Sequence, residues 1–481
     1  MVQVNVKILL VEDDPSFLEI VAPIICEFGV DISLSVARSR DSAIAMLTEN
    51  IFDLVILDLK IPIIDDALDA DAEHGRYVLN KTRDVAGGTP LIILTGSPAE
   101  SFIDAFLVHS EQVDVWGDQT KMATVRFLRK SQLDELPGVI SPCIEAVRAV
   151  SYVEIRPNGK QVNLDWAQDR LIRIFVRRRG GVSCSVYRIG GGLSGAHVFR
   201  VAVWDESGAP LLNAVLKIGT REMVETECRN YDRHAQRLNE RATPRLLEDI
   251  RFGAGPIYAV SYRLAETYTN TMFEVALENS ERAAKVATSA DALLAPWREG
   301  VHETRRTIRD IRRRMLNDEK TAKIAAKYGL NWIGSFESRP VQVRWCCVHG
   351  DFHGGNMLID NNDAPIFIDY GDIGEGPASI DWVMLELSIL FHPDGCARGS
   401  DWPTLENCSN WSDIDVFASD TSLTPYLRAC RDAAHRAGAG PREVAACAYA
   451  YVLRQLNYED TDKARALAII NGVKRFIEVA T

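Results

Sequence analysis

The chain has 481 residues, of which 47% are hydrophobic and 25% are charged, and these proportions are average for a soluble globular protein. The length predicts about three domains, and the net charge of -13 argues against general nucleic-acid binding. No apolar run is long enough to span a membrane, and the amino terminus lacks a secretory pattern. The ten cysteines form no CxxC pair, so we expect reduced thiols in a cytoplasm and no structural zinc.

The first 150 residues alternate apolar strand patterns with segments of helical spacing. Buried-strand patterns cover residues 6–11, 54–57, 90–94 and 125–128. This alternation predicts a parallel, doubly wound α/β sheet, whose ligand site lies at the carboxyl ends of the strands. Polar residues follow those strand ends, and they are Glu12, Asp13, Asp58, Thr95 and Lys130.

Crowded carboxylates at strand ends repel one another unless a divalent cation lies among them. A metal-bound carboxylate with a hydroxyl and an ammonium nearby can accept a phosphoryl group as an acyl phosphate. In this order, the strand-end residues resemble the receiver domain of two-component response regulators, which has a flavodoxin-like fold. The resemblance implies that Asp58 is the phosphoacceptor and that Glu12 and Asp13 are the acid pair around Mg²⁺. It makes Asp13 and Asp58 metal ligands, Thr95 the switch hydroxyl and Lys130 the phosphate-contacting lysine. The implied partner is a cognate histidine kinase or another phosphodonor.

This segment departs from the receiver pattern in two places. Ser131 follows Lys130, where receivers usually carry proline, so the turn there is expected to differ. An acidic insertion at residues 63–73 follows Asp58. The insertion is either a surface lid or an extra regulatory contact, and the sequence leaves both open.

Residues 151–180 are predicted to be a linker or an added decoration. A turn at 157–159 separates two short strand patterns, and residues 165–178 have helical spacing. Gly180 and Gly181 end this helix after a basic run that complements a helix carboxyl terminus.

The next segment has the pattern strand, glycine-rich turn, strand, which is the context of a kinase phosphate-covering loop. A plain hairpin with glycines is the alternative. The following strand carries Lys217, which can neutralise nucleotide phosphates when a helix supplies an acidic partner. Glu222, Glu225 and Glu227 are candidates for that partner, and we favour Glu227. The candidate nucleotide contacts of the turn are Gly190, Gly191, Gly192 and Ser194.

Residues 270–330 are predicted to be helical and contain a basic cluster between Arg305 and Arg314. The cluster is either a solvated helix face or a surface for an anionic substrate or partner.

The stretch 348–371 reads as a strand, a polar loop, a short strand, a turn and another strand. This layout brings Asp351, Asn356 and Asp369 to neighbouring strand ends. Phosphoryl transfer needs such a set, because one carboxylate orients the acceptor hydroxyl while an amide and a second carboxylate hold Mg²⁺.

The motif His349-Gly350-Asp351-x-His353-x-x-Asn356 and the following Ile368-Asp369-Tyr370-Gly371 resemble the aminoglycoside phosphotransferase and choline kinase branch of the kinase-like fold. The resemblance implies that Asp351 is the catalytic base, that Asn356 and Asp369 are magnesium ligands, and that ATP or another nucleoside triphosphate is bound. It implies structural support from His349 and Asp381. His353 is either a packed loop histidine or a direct participant.

The sequence therefore predicts a multidomain α/β and α+β protein, in which a receiver precedes a bilobal kinase-like phosphotransferase domain. The predicted segments are a receiver at 1–150, a linker at 151–180, a nucleotide lobe at 181–265 and a catalytic lobe at 266–481. The expected function is a cytoplasmic signalling enzyme whose receiver regulates ATP-dependent phosphoryl transfer to a hydroxyl of an unknown acceptor. A non-catalytic nucleotide-binding switch or scaffold is the alternative, and an aminoglycoside-resistance enzyme fits a fused receiver less well.

Overall fold

The computed structural model describes residues 5–96, 111–157, 162–191 and 196–479. The chain forms two compact units, Met1–Glu225 with Leu246–Arg263, and Thr226–Arg245 with Leu264–Thr481. The first unit thus contains both the predicted receiver and most of the predicted nucleotide lobe. Across these described stretches, no helix is both long and apolar enough to cross a membrane.

The amino-terminal part of the first unit is a parallel sheet with helices between its strands. Its strands are β1 (Val6–Val11), β2 (Ile32–Ala37), β3 (Leu54–Leu57), β4 (Leu91–Thr95), the short pair β5 (Gln112–Val113) and β6 (Met122–Ala123), and β7 (Val125–Arg129). Its helices are α1 (Pro15–Cys26), α2 (Arg40–Glu49), α3 (Ala72–Val85) and α4 (Leu136–Ser151). The sheet order is β2-β1-β3-β4-β7 with every pair parallel, so the predicted doubly wound flavodoxin-like fold is confirmed.

The insertion at residues 63–73 packs on the start of α2. The Arg40 and Asp41 amides donate to the carbonyls of Pro62 and Ile63, over 2.9 and 3.0 Å. The Asp71 carboxylate then caps α3 by accepting from the Glu73 amide, over 2.8 Å. These contacts give the insertion a local structural role beside the sheet.

The rest of the first unit is built on a second, six-stranded sheet. Its elements are β8 (Glu154–Pro157), α5 (Trp166–Arg178), β9 (Ser183–Gly191), β10 (His197–Trp204), β11 (Pro210–Thr220), β12 (Arg245–Ile250) and β13 (Ile257–Arg263). The order is β12-β13-β11-β10-β9-β8, with β9, β10, β11 and β13 antiparallel and β8 parallel to β9.

Residues 151–180, predicted to be a linker or an added decoration, contribute a strand and a helix to this part of the fold. The strand β8 extends the sheet at its edge, and α5 begins with a capping box between Asp165 and Gln168. Leu171 and Phe175 of α5 are fully buried. The segment is an integral part of the fold, because the apolar side chains of α5 have to be covered by neighbouring elements.

One hydrophobic core runs through both sheets of the first unit. It contains Ile8 of β1, Ile144 of α4, Ile174 of α5, and Val201 and Leu216 of the second sheet. A core that contains residues of both parts predicts that they unfold together.

Two polar contacts add to this shared core at the amino-terminal edge of the parallel sheet. Arg170 of α5 lies 3.0 Å from Asp53, the residue before β3, and both side chains are more than 90% buried. Gly88 accepts from the Gly253 amide over 2.8 Å and donates to the Gly255 carbonyl over 3.1 Å. A β-carbon on Gly88 would lie 2.7 Å from that carbonyl oxygen, so only glycine permits this approach.

The second unit is mainly helical with two small sheets. Helix α6 (Arg221–Arg233) leads into it, and it contains the helices α7 (Met272–Glu278), α8 (Ser280–Leu294), α9 (Ile308–Arg313), α10 (Asp318–Tyr328), α11 (Ile333–Glu337), α12 (Ile380–Phe391), α13 (Leu405–Ser409), α14 (Ile414–Phe417), α15 (Thr424–Ala437), α16 (Pro441–Gln455) and α17 (Lys463–Val479). Its strands are β14 (Asn270–Thr271), β15 (Glu303–Thr307), β16 (Pro340–Val348), β17 (Met357–Ile359), β18 (Pro365–Phe367) and β19 (Gly374–Pro377), in the orders β14-β17-β18 and β15-β16-β19.

The prediction of continuous helix over 270–330 is wrong at β15, which pairs antiparallel with β16. The basic cluster is therefore divided between an exposed strand and α9. Arg312 is buried in an ion pair with Glu337, and Arg313 pairs with Asp318. Three of the six arginines form ion pairs, and Arg305 and Arg306 are exposed on β15, so the cluster is not one solvated helix face.

Candidate functional site

The carboxylates of Glu12, Asp13 and Asp58 converge at the carboxyl edge of the parallel sheet. Glu12 and Asp13 follow β1 directly, and Asp58 follows β3, which pairs with β1 so that Val11 lies opposite Leu57. An oxygen of each carboxylate lies within 4.8 Å of the others. Three carboxylate oxygens at this spacing suit a hard divalent cation such as Mg²⁺.

Lys130 lies against this cluster, at the end of β7. Its Nζ is 2.7 Å from Glu12 Oε2 and 2.7 Å from Asp58 Oδ2. Burial works against the ammonium charge, but the hydrogen bonds to Asp58 and Glu12 outweigh it and raise the pKa of Lys130. The lysine therefore remains charged and holds two of the three carboxylates in place.

Thr95 is buried at the end of β4, the strand between β3 and β7. In the β4–β7 register it lies opposite Arg129, the residue that precedes Lys130. A 3₁₀ turn, Lys130–Glu135, begins at the lysine, so Ser131 enters a helical turn directly. The structure thus places all the predicted receiver residues at one edge of one sheet, and their roles in phosphorylation stay a prediction.

Magnesium binding at this edge should strengthen several-fold as the pH rises from about 6 to about 8. Burial raises the pKa of Glu12 to about 7, so the carboxyl is protonated below that pH and adds negative charge above it. Calorimetric titration of unphosphorylated protein with Mg²⁺ at several pH values measures the effect. The Glu12→Gln variant serves as the control, and its magnesium affinity should not increase near pH 7. An unchanged increase in that variant would assign the titration to another group.

The second sheet of the first unit carries the predicted nucleotide contacts. Lys217 lies in the middle of β11, opposite Val198 of β10 and Val260 of β13, and its side chain is buried. Gly190 and Gly191 end β9. The other two predicted contacts, Gly192 and Ser194, lie outside the described residues.

Glu227, the favoured partner of Lys217, belongs to the second unit. It is fully buried, and its Oε1 accepts from the Tyr370 amide over 2.8 Å. Glu227 therefore holds the residue that follows Asp369. The pairing of Lys217 with Glu227 stays a prediction.

The loop after β16 is held by Asp381 and His349. The Asp381 carboxylate, at the start of α12, accepts from the amides of His349 and Gly350 over 2.7 and 3.0 Å. The buried His349 ring donates from Nε2 to the Ile368 carbonyl over 3.1 Å. Gly350 has φ +81°, and a β-carbon there would lie 2.3 Å from the Asp372 carbonyl oxygen. These contacts fix the backbone on which Asp351 stands.

Asp351, Asn356 and Asp369 come from adjoining backbone segments. The Asn356 side-chain amide donates to the Asp351 carbonyl over 2.8 Å. This bond orients the side-chain oxygen of Asn356 away from the Asp351 carbonyl. The Asn356 carbonyl accepts from the Ile368 amide over 3.0 Å, next to Asp369. Asp369 has φ +70°, an uncommon left-handed conformation that is typical of functional sites. An amide oxygen and a carboxylate oxygen in this arrangement suit Mg²⁺.

His353 lies between Asp351 and a group of aromatic rings. Its Nε2 is 3.6 Å from Asp351 Oδ2, and its Nδ1 accepts from the Gly355 amide over 3.1 Å. The ring lies parallel to Phe273 at 6.3 Å and packs against His392 at 4.3 Å between centroids. Burial lowers the pKa of His353, and it lowers that of His392 to about 3. Both rings are thus neutral packing groups, although His353 also faces the predicted base.

Residues 186–399 match the model of the phosphotransferase enzyme family. This segment contains Lys217, Asp351, Asn356 and Asp369, the residues predicted to take part in phosphoryl transfer. This part of the chain, slightly less than half of it, is therefore similar to the phosphotransferase enzyme family. A search of curated proteins found no match.

Solved structures are similar to the two parts of the chain. A CheY-like response regulator receiver domain protein from Methanospirillum hungatei is 18% identical over 30% of this chain and 97% of its own, with a TM-score of 0.23. The receiver domain of a sensor histidine kinase from Pseudomonas aeruginosa, with magnesium in its active-site cleft, is 17% identical over 29% and 98%, with a TM-score of 0.22. A thermostable mutant of an aminoglycoside phosphotransferase is 16% identical over 59% and 93%, with a TM-score of 0.33. Sequence identities and TM-scores this low do not indicate an activity for this chain.

The predicted base has one charged neighbour in the second unit that no sequence pattern indicates. Arg454, on α16, has both terminal nitrogens 3.4 Å from Asp351 Oδ1. It is separated from Asp351 by 103 positions and lies near the end of a largely apolar helix. No local motif of the phosphotransferase domain marks it, because its role depends on how α16 packs in the tertiary structure.

Proposed function

We propose that this protein is a two-component-type signalling enzyme in which a receiver phosphorylated on Asp58 regulates an ATP-dependent phosphotransferase. One observation carries the proposal. The carboxylate cluster with Lys130 and the strand that bears Lys217 stand on two sheets with a common hydrophobic core. A shared core allows a change at one sheet to alter the packing of the other.

The receiver chemistry that we propose uses Asp58 as the nucleophile. One Asp58 oxygen attacks the phosphorus of a phosphodonor, an acyl phosphate forms, and the leaving group departs with the electron pair of the broken bond. Mg²⁺ held by Asp13 and Asp58, beside Glu12, would offset the negative charges. Lys130, already within 2.7 Å of Asp58, would contact the phosphoryl oxygens.

The phosphotransferase chemistry that we propose uses Asp351 as the base. Asp351 takes the proton of an acceptor hydroxyl, whose oxygen forms a bond to the γ-phosphorus of ATP while the bond to the departing ADP breaks. Asn356 and Asp369 would hold Mg²⁺, and Lys217 would neutralise nucleotide phosphates. A histidine kinase as phosphodonor, and cysteines that form no disulfide within the described residues, fit a reducing cytoplasm.

The Asp58→Asn variant is expected to take up no phosphate from a small phosphodonor in the presence of Mg²⁺, while wild-type protein is labelled. Asparagine keeps the size of the side chain but lacks the nucleophilic carboxylate. Acetyl phosphate with labelled phosphorus measures the uptake. Asp65→Asn, in the acidic insertion, is a matched control that should label like wild type. Labelling of Asp58→Asn at the wild-type level would assign phosphorylation to another acid.

The same labelled protein tests the regulatory part of the proposal. Magnesium-dependent ATP hydrolysis, measured before and after phosphorylation, should change in wild type and stay constant in Asp58→Asn. ATP binding without hydrolysis in either state would favour a nucleotide-binding switch or scaffold.

A further inference from the structure

Arg454 is the strongest cationic contact of the predicted base. It projects from α16, and its Nε donates to the Tyr458 hydroxyl over 3.2 Å. Its Nη1 and Nη2 both point at the same oxygen of Asp351, over 3.4 Å. The side chains of Arg454 and Asp351 are 19% and 23% exposed, so a small ligand can reach both.

This ion pair is looser than a dedicated structural pair. A bidentate arginine–carboxylate pair joins two nitrogens to two oxygens at about 2.7–2.9 Å. In the chain's own buried pair, Arg312 Nε and Nη2 meet the two oxygens of Glu337 over 2.8 and 2.7 Å. Across the described stretches, the terminal nitrogens of Arg454 contact no acceptor besides Asp351 Oδ1. The guanidinium therefore has donors left for a ligand.

The charge of Arg454 is permanent. Burial works against it, but Asp351 together with Tyr458 and Tyr451 outweighs burial and raises the pKa of Arg454. When Asp351 accepts a proton from the acceptor hydroxyl, this guanidinium loses its counter-charge in a largely enclosed place. An unpaired charge there opposes the proton transfer. An anionic group on the acceptor would supply the missing counter-charge.

We propose that Arg454 binds a carboxylate or phosphate group of the acceptor, so that the substrate class is an anionic hydroxyl compound. This inference rests on the proposed phosphotransferase function. The acceptor's anion occupies the unused donors of the guanidinium and draws it from Asp351 Oδ1, which then receives the hydroxyl. Arg454 thereby acts as a specificity residue next to the base.

Two further carboxylates, those of Asp369 and Asp372, lie in the region of Asp351. The charges of Asp351 and Asp369 both act on the Asp372 carboxyl. Asp369 is assigned to Mg²⁺ in the proposed function, whereas Asp372 is exposed and has no assigned role. Asp372 is therefore the group that would select a cationic acceptor, and it provides the matched comparison for Arg454.

The experiment measures transfer of the labelled γ-phosphoryl group of ATP to four acceptor probes. Glycerate and glycerol phosphate are the anionic probes, glycerol is the neutral probe, and choline is the cationic probe. Wild type is expected to label an anionic probe best. Arg454→Gln should lower kcat/KM for that probe by roughly 10- to 100-fold, chiefly through KM, and Arg454→Lys should recover part of the loss. ATP hydrolysis without acceptor is measured in every variant, and Asp372→Asn should leave both this hydrolysis and the preference for anions intact.

Several outcomes would overturn the inference. They are better labelling of glycerol or choline, an unchanged kcat/KM in Arg454→Gln, or loss of the charge preference in Asp372→Asn alone. Hydrolysis of ATP by wild type without transfer to either anionic probe would also count against it. Failure of wild type to hydrolyse or transfer at all would instead overturn the proposed function itself.

Discussion

Turnover should fall about 10²-fold or more in Asp351→Asn, while affinity for magnesium and nucleotide is retained. The asparagine side chain cannot take the proton of an acceptor hydroxyl. The backbone carbonyl of residue 351 still accepts from the Asn356 side chain, so the neighbouring amide keeps its orientation. Single-turnover kinetics with labelled ATP, together with nucleotide binding measured by calorimetry, separates the two effects.

Asp369→Asn is the matched comparison for this prediction. Asparagine tolerates the left-handed backbone that Asp369 adopts at φ +70°, so the substitution removes charge with little added strain. It should weaken magnesium-dependent nucleotide binding, because a charged ligand of the metal is lost. Titration of Mg²⁺ at fixed ATP distinguishes the variants. Loss of metal affinity in Asp351→Asn, with retention in Asp369→Asn, would reverse the assigned roles.

Arg170→Met is expected to lower the free energy of unfolding by about 3–5 kcal/mol, the usual cost of breaking a buried ion pair. The substitution leaves the Asp53 carboxylate buried without its partner. Burial already raises the pKa of Asp53, and without Arg170 the acid gains stability by accepting a proton. The loss should therefore shrink as the pH falls. Urea unfolding, followed by tryptophan fluorescence at several pH values, measures both effects.

The design of this experiment includes two controls. Asp53→Asn combined with Arg170→Met should be less destabilised than Arg170→Met alone, since no unpaired charge remains. Arg76→Met breaks an exposed pair with Glu73 and should cost about 0–1 kcal/mol. Separate unfolding transitions for the parallel sheet and the second sheet would contradict a shared core. Equal losses in the single and double variants would show that the buried charge is not the cause.

The sequence by itself determined the two sets of predicted site residues. Glu12, Asp13 and Asp58 directly follow apolar strands, and the carboxyl ends of neighbouring parallel strands meet at one edge whatever the length of the intervening loops. The spacing of Asp351 and Asn356 similarly places them on one short loop, where Asn356 bonds to the Asp351 carbonyl. Such positions depend on where each strand ends, which hydrophobic patterns indicate.

Only the tertiary structure decided which distant charges come together. The local signals of the segment 151–180, a turn and a basic run, predict a linker or an added decoration, whereas its place in the fold follows from the burial of α5. Arg170 with Asp53 and Arg454 with Asp351 are contacts between residues far apart in the chain. The packing of one element on another selects these partners, and each arginine by itself reads as an ordinary polar position on a helix. Long-range packing has no period and no fixed spacing, so the sequence pattern contains no signal for it.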